Sequence, residues 1–163
     1  MPETELDPFA EVLNGPVYVV TVAAAGERSG CLVGFASQCS IRPPRFMVWL
    51  SERNHTLRVA RAASHLAVHV LDRGGRSLAE LFGGETGDEV DKFEHVDWWS
   101  SADGSPVLTG ARAWFVGRIE SRIDGGDHVG FLLAPTEVSP PVRDALTLLR
   151  YDDVKEIDPG HPA

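Results

Sequence analysis

The chain has 163 residues, a length that suits one domain with a single buried core. Its hydrophobic content of 43% and charged content of 24% are ordinary for a globular protein, and no apolar run approaches the roughly 20 residues of a membrane span. The net charge of −9 argues against a nucleic-acid partner, because no stripe of basic and aromatic residues offsets the repulsion of a polyanion.

The first part of the chain predicts a hairpin and a third strand. Two β-rich runs, 17–23 and 30–39, are joined by a turn that contains glycine and serine. A double proline at 43–44 follows, and residues 45–51 then form a mostly apolar run of strand length. These segments predict three strands close together in sequence.

The next segments predict short helices around a fourth strand. Asn54 suits the N-cap of a helix whose apolar residues recur at helical spacing. Residues 65–71 alternate as a strand does, and Leu78, Leu81 and Phe82 have the i, i+3, i+4 spacing of a helix that ends at glycines.

The second half of the chain predicts a long loop and a long hairpin. Residues 83–106 lack a clear period and are expected to form a loop. Residues 111–139 contain two alternating runs around a Gly-Gly turn, and 147–157 predict a last short strand.

We expect one domain over residues 1–163, with its core at about 12–157 and a loose tail at 158–163. Many short strands with few helices favour a closed β-barrel over alternating strands and helices.

The N-terminus and the two cysteines predict a cytoplasmic protein. The first 15 residues are acidic and lack the basic start and apolar centre of a secretory signal. Cys31 and Cys39 are eight residues apart in what reads as one extended segment, which separates them by roughly 26 Å. We therefore expect free thiols, and without a Cys-x-x-Cys pair no zinc site built from cysteines.

Small polar residues occupy the middle of the predicted strand before the double proline. A core strand is usually filled with Val, Ile and Leu, whereas this one contains the sequence ASQCS at 36–40. Such residues suit a strand whose backbone lies close to a flat ligand. Taken alone, the stretch also fits a strand edge or turn that merely tolerates small residues.

The ordered motifs resemble those of the flavin reductase-like family of FMN-binding split barrels. They are NGPVYVVTV, GCLVGFASQCSIRPP, SERNHT, HLAVHVL, LAELFGG, DKF, SPVLTGARAWFVGRI and GGDHVGF, and the similarity runs from about Asn14 to Tyr151. The resemblance implies a mainly β fold, a split β-barrel of Greek-key type with a few short helices.

The resemblance also implies a flavin site. The strand before the double proline would line the isoalloxazine ring, with Ser37 and Ser40 as the best side-chain candidates. The segment SERNHT would lie near the FMN phosphate, where Arg53 or Arg58 could add charge, although simple helix capping is an equal interpretation. The implied cofactor-binding residues of these two segments are Gly34, Phe35, Ala36, Ser37, Gln38, Cys39, Ser40, Ser51, Asn54, His55 and Thr56.

Four further residues match positions of the family. By resemblance His128, in the Gly-Asp-His context, positions the nicotinamide, although a lone histidine beside a turn is more often a surface residue. Phe82 and Phe93 are either ring-edge contacts or core, and the helical spacing of Phe82 favours core. Lys92 matches the family's lysine, with a solvated loop lysine as the alternative.

Other sites are not expected. His65 and His69 would share one face of a strand at roughly 13 Å, too far apart for one metal ion. The sequence has no Gly-x-Gly-x-x-Gly after a strand and no Gly-x-Ser-x-Gly elbow, so a Rossmann site and a hydrolase are not indicated.

The resemblance implies a homodimeric flavin reductase that passes a hydride from NAD(P)H to FMN, with FAD as the alternative flavin. Supply of reduced flavin to a partner monooxygenase is a hypothesis. The rival interpretation is a binding module of the same fold for flavin, deazaflavin or haem, and a weaker one is a cofactor-free scaffold. Leu32, Val33 and Phe35 depart from the family pattern by being bulky, and the preference between NADH and NADPH is left open.

Overall fold

A computed structural model describes residues 3–84 and 91–157, which contain nine β-strands and four short α-helices. The strands are β1 Tyr18–Ala24, β2 Glu27–Val33, β3 Ala36–Ile41, β4 Pro44–Ser51, β5 His65–Val70, β6 Trp98–Ser100, β7 Pro106–Leu108, β8 Ala113–Asp124 and β9 His128–Val138. The helices are α1 Asp7–Ala10, α2 His55–Ala60, α3 Arg76–Gly84 and α4 Tyr151–Val154, with 3₁₀ turns at Arg73–Gly75 and Lys92–Glu94.

Seven strands form one antiparallel sheet in the order β2-β1-β5-β8-β9-β4-β3, and β6 and β7 pair separately. Strands β2 and β3 lie at opposite edges of the sheet, although only Gly34 and Phe35 separate them in the chain. The three Cα–Cα steps from Val33 to Ala36 span at most about 11 Å, so the sheet must curl until its edges approach. The mainly β, split-barrel prediction is confirmed.

Two hairpins follow the sequence closely. Ala25 and Gly26, with φ of 51° and 81°, form the two-residue turn between β1 and β2. Positive φ at both positions matches the right-handed twist of the paired strands. Strands β8 and β9 are joined by the predicted Gly-Gly turn, in which Gly126 has a φ of 115°.

The predicted strand 30–39 is wrong as a single element. β2 ends at Val33 and β3 begins at Ala36, because the chain there leaves one edge of the sheet and joins the other. The two cysteines therefore lie on different strands, Cys31 buried on β2 and Cys39 exposed on β3, and both are free thiols.

The predicted loop and the last strand also need correction. Residues 92–108 contain a 3₁₀ turn and the β6–β7 pair, because Phe93 and Trp98 bury their rings against a core. The C-terminal segment makes only isolated bridges at Leu148 and Arg150 and then turns into α4, where the Asp153 carboxylate accepts a hydrogen bond from the Arg150 amide. Residues 85–90 of the loop and the tail 158–163 lie outside the described residues.

Two apolar clusters hold the fold. The larger one fills the barrel with side chains from β1, β2, β4, β5, β9 and α2, and Phe131, Leu133 and Leu66 are fully buried in it. The second lies between the barrel and α3, the 3₁₀ turn at Lys92–Glu94 and the C-terminal segment. Burial of apolar surface at roughly 25 cal/mol per Å² is the main stabilising contribution of both clusters.

Candidate functional site

Strand β3 presents short polar side chains at an edge of the sheet. Within the described residues it pairs only with β4, so the backbone groups on its other side are not used by the sheet. Gln38 lies opposite Phe46 and Ser40 opposite Arg45, which leaves Cys39 as a bulge residue. Ser37, Gln38 and Cys39 are exposed, and Ala36 and Ser40 are half-buried. A planar ligand can approach this backbone closely.

The entry to α2 directly follows β4. The Oδ1 atom of Asn54 accepts a hydrogen bond from the Thr56 amide at 2.9 Å, which is the predicted N-cap. The Arg53 amide donates to the Ser51 hydroxyl at 3.3 Å, and the Asn54 amide donates to the Ser51 carbonyl at 3.0 Å. Thr56 is fully buried, with its hydroxyl 2.9 Å from that of Ser29, so its side chain stabilises the packing of α2 against β2.

An open pocket of about 290 Å³ lies along this entry and the outer face of α2. Three arginines and one glutamate line it, which gives it a positive balance in a chain of net charge −9. His55 contacts Arg58 through Nδ1, and its Nε2 lies 3.4 Å from the Glu27 carboxylate. The lining residues are Glu52, Arg53, Asn54, His55, Leu57, Arg58 and Arg61.

His128 begins β9, where it lies opposite Ser51 of β4. Its Nδ1 donates to the Asp127 carboxylate at 2.7 Å, and the hydrogen bond and charge of His128 lower the pKa of Asp127. The Asp127 carbonyl accepts a hydrogen bond from the Glu52 amide at 2.9 Å. The ring of Phe35 lies 5.0 Å from that of His128 between centroids. The start of β3, the α2 entry and His128 therefore form one surface.

Phe82, Phe93 and Lys92 come together elsewhere, in the second apolar cluster. The two phenyl rings pack edge to face at 5.7 Å. Lys92 is 5% exposed, and its Nζ donates to the carbonyls of Phe82 at 3.0 Å and Gly30 at 3.1 Å. The alternative of a solvated loop lysine is wrong, because the ammonium group joins α3 to β2 inside the protein. These three residues do not share the surface formed by β3 and His128.

The two histidines of β5 have separate partners. His69 is fully buried; its Nδ1 donates to the Val19 carbonyl at 2.9 Å, and its Nε2 accepts from the Leu108 amide at 3.0 Å. Burial lowers the pKa of His69 to about 4, so the ring is neutral. His65 lies 3.2 Å from the Asp103 carboxylate. In ranges 3–84 and 91–157, no three His, Cys, Asp or Glu side chains are grouped to hold a metal ion.

Two residues of the site were not predicted from the sequence. Asp127 directly precedes His128 in the Gly-Asp-His motif, and this adjacency could have identified it as a partner of His128. Arg61 lines the pocket because positions 54, 58 and 61 share one face of a helix. That helical spacing could have identified Arg61.

Residues 10–155 match the family model described as the flavin reductase like domain. The chain belongs to the flavin reductase-like family. It is 31% identical over 116 residues to an FMN reductase (NADH) RutF of Ancylobacter novellus, covering 71% of this chain and 64% of that protein. It is 30% identical over 133 residues to the reductase subunit HsaB of a flavin-dependent monooxygenase from Mycobacterium tuberculosis, covering 78% of this chain and 70% of that protein.

Solved structures of the family share the fold. The NADH:FAD oxidoreductase SgcE6 of Streptomyces globisporus C-1027 has a TM-score of 0.77 and 26% identity, over 92% of this chain and 93% of that one. The chain spans 40% of the length of one curated relative and 64% of another. Among the residues that the structure describes, no helix is long and apolar enough to cross a membrane.

Proposed function

We propose that this protein is a flavin reductase that binds FMN and NAD(P)H, with FAD as the alternative flavin. In this reaction NAD(P)H, FMN and one proton give NAD(P)⁺ and reduced FMN, so the flavin supplies the redox chemistry. The protein then has to bind both rings and orient them. The observation that carries the proposal is the joint surface of β3, the α2 entry and His128 in a member of this family.

Strand β3 suits the ring of the flavin. Short side chains at 36–40 leave the backbone open, and the edge position leaves amide and carbonyl groups that the sheet does not use. A planar ring with several hydrogen-bond acceptors and donors at its rim can use such groups. We propose that residues 36–40 of β3 line the ring, with Ser37 and Ser40 contributing hydroxyl groups.

The pocket beside α2 suits the phosphate of FMN. Arg53, Arg58 and Arg61 give it positive charge, and guanidinium groups bind phosphate through paired hydrogen bonds. The pocket begins where β4 ends at Ser51, next to His128, so a single ligand can reach both parts of the surface. Asn54 and Thr56 hold the local backbone, and we propose that the arginines and His55 meet the phosphate.

His128 is the proposed positioning residue for the nicotinamide. The Asp127 carboxylate accepts a hydrogen bond from Nδ1, which holds the orientation of the imidazole ring. No protein acid or base is required for hydride transfer itself. The residues at this surface instead control distance and orientation between the two rings.

We also propose a homodimer and a partner monooxygenase. The similarity to a reductase subunit of a flavin-dependent monooxygenase supports the partner monooxygenase. The exposed apolar side chains of Ile41 on β3, Ile123 on β8 and Val138 on β9 support the homodimer. Sedimentation velocity of the purified protein tests the dimer, and a single monomeric species would contradict it.

The function is tested by the loss of NAD(P)H absorbance with and without added FMN. Oxidation that depends on FMN and continues over many turnovers is the expected result. FMN binding without turnover would contradict the reductase proposal and favour a flavin-binding module. Absence of FMN binding, with a deazaflavin or haem spectrum in the purified protein, would contradict the choice of cofactor.

A further inference from the structure

Three bulky side chains, Leu32, Val33 and Phe35, lie at the end of β2 and in the link to β3. Val33 is buried in the larger cluster, and Leu32 packs against the second cluster. Phe35, in contrast, is 62% exposed. Of the three bulky side chains, Phe35 is therefore the one that neither apolar cluster buries.

The main chain of Phe35 is held in place by β4, and its ring contacts β9. Its carbonyl accepts a hydrogen bond from the Trp49 amide at 3.0 Å. Its ring lies 5.0 Å from the ring of His128 between centroids, tilted by 51°. Asp127 in turn holds His128 through Nδ1. We call Phe35 and His128 the ring pair; one side of the Phe35 ring meets His128, and much of the rest faces solvent.

The geometry limits how a planar ligand can use the ring pair. A ring inserted between two others needs centroids roughly 7 Å apart, since each stacked contact takes about 3.5 Å. At 5.0 Å the pair has no room for a third ring between its members. A ligand ring can instead cover the open face of Phe35, which removes apolar area from water and adds aromatic stacking.

We propose that the open face of Phe35, whose other side meets His128 in the ring pair, is the stacking surface for the nicotinamide ring of the hydride donor, which makes Phe35 a positioning residue. This inference rests on the proposed function, in which the flavin lies along 36–40. Phe35 immediately precedes that stretch and carries a large side chain, so it flanks a ring placed there. The oxidised nicotinamide is a cation, and the Phe35 face and the Asp127 carboxylate both favour positive charge.

The test compares Phe35→Ala and Phe35→Tyr with the wild type. Phe9→Ala is the matched control, because Phe9 has the same exposed fraction of 62% and lies in α1. FMN affinity is measured by quenching of flavin fluorescence, and the affinity of the FMN-loaded protein for NAD⁺ and NADP⁺ by calorimetry. Neither measurement depends on turnover. Sedimentation velocity is run on every variant.

For Phe35→Ala we expect the dissociation constant of the oxidised nicotinamide nucleotide to rise roughly twofold to tenfold, the range of one aromatic contact, with FMN affinity unchanged. Phe35→Tyr should retain nicotinamide binding because it keeps the ring, and Phe9→Ala should behave as the wild type. A weakened FMN affinity in Phe35→Ala, or unchanged nicotinamide affinity, would overturn the proposal. So would a changed sedimentation coefficient in Phe35→Ala alone, which would make Phe35 a subunit contact.

The failure of this proposal can be separated from failure of the proposed function. A wild type that binds FMN but neither binds nicotinamide nucleotides nor oxidises NAD(P)H contradicts the reductase function. A wild type that oxidises NAD(P)H, together with a Phe35→Ala variant of the same nicotinamide affinity, contradicts the ring-pair proposal alone.

Discussion

The ammonium group of Lys92 lies 3.0 Å from the carbonyl oxygen of Phe82, inside the second apolar cluster. It also donates to the carbonyl of Gly30 at 3.1 Å, so one side chain satisfies a carbonyl at the end of α3 and another on β2. A buried carbonyl that loses its hydrogen-bond donor destabilises the folded protein, because its desolvation is no longer offset. The Lys92 side chain therefore connects α3 to β2, two elements that lie far apart in the sequence.

We expect Lys92→Met to lower the free energy of unfolding by about 2 kcal/mol, because two buried carbonyls lose a donor. Urea denaturation measures this loss. Since Lys92 does not share the surface of β3 and His128, FMN affinity of the folded variant should equal that of the wild type. Loss of FMN binding in a folded Lys92→Met protein would instead support the cofactor role that the family resemblance implies.

Bulk at β3 should exclude the flavin ring. We expect Ser37→Trp to raise the dissociation constant of FMN by roughly tenfold or more, because the indole would occupy the space next to an open backbone. Fluorescence quenching measures the affinity. Ser100→Trp, at an exposed strand position in β6, is the control and should bind FMN as the wild type does. Equal affinity in Ser37→Trp and the wild type would remove β3 from the flavin site.

The arginine pocket should discriminate FMN from riboflavin. Arg53→Gln removes one positive charge beside the proposed phosphate position, and we expect FMN affinity to fall by roughly tenfold, the value of one charge-assisted hydrogen bond. Riboflavin has no phosphate, so its affinity should not change. Arg118→Gln, on β8 beside Glu120, serves as the control. The phosphate assignment is wrong if riboflavin and FMN lose affinity equally in Arg53→Gln.

His69 makes stability depend on pH. Its pKa is lowered to about 4 from 6.5, so between these values the unfolded chain binds a proton that the folded protein does not. The free energy of unfolding therefore falls as the pH falls through this window, by about 2 kcal/mol from this group between about pH 7 and about pH 5.

Urea denaturation at the two pH values tests this dependence in the wild type and in His69→Gln. Glutamine can donate and accept in place of the ring but does not titrate, so the variant should lose most of the decrease. His95→Gln, changed at an exposed histidine, is the control. The same pH dependence in wild type and His69→Gln would show that His69 is not the responsible group.

Short-range features of the fold could be predicted from the sequence. The turn at Ala25 and Gly26, the Gly-Gly turn before His128, the cap at Asn54 and the strand after the double proline all depend on residues a few positions apart. Their conformations follow from backbone preferences and local hydrogen bonds. For the same reason the family motifs, which are local patterns in a set order, could be recognised from the sequence.

The division of 30–39 into two strands could not be predicted, because both halves favour extended backbone. The break at Gly34 and Phe35 exists because the sheet curls and its two edges meet there. Similarly, a lysine in a polar stretch predicts solvent exposure, and only the packing of α3 against β2 surrounds Lys92 with carbonyls.

The sequence by itself determined the mainly β class, the two hairpin turns, the helices α2 and α3 and the family. The tertiary structure decided which of the candidate residues share a surface. Phe35 and His128 are more than 90 residues apart in sequence, and their rings meet because β4 pairs with β9 on one side and with β3 on the other. Such contacts depend on the pairing of strands that are far apart in the sequence, so they cannot be inferred from the preferences of neighbouring residues.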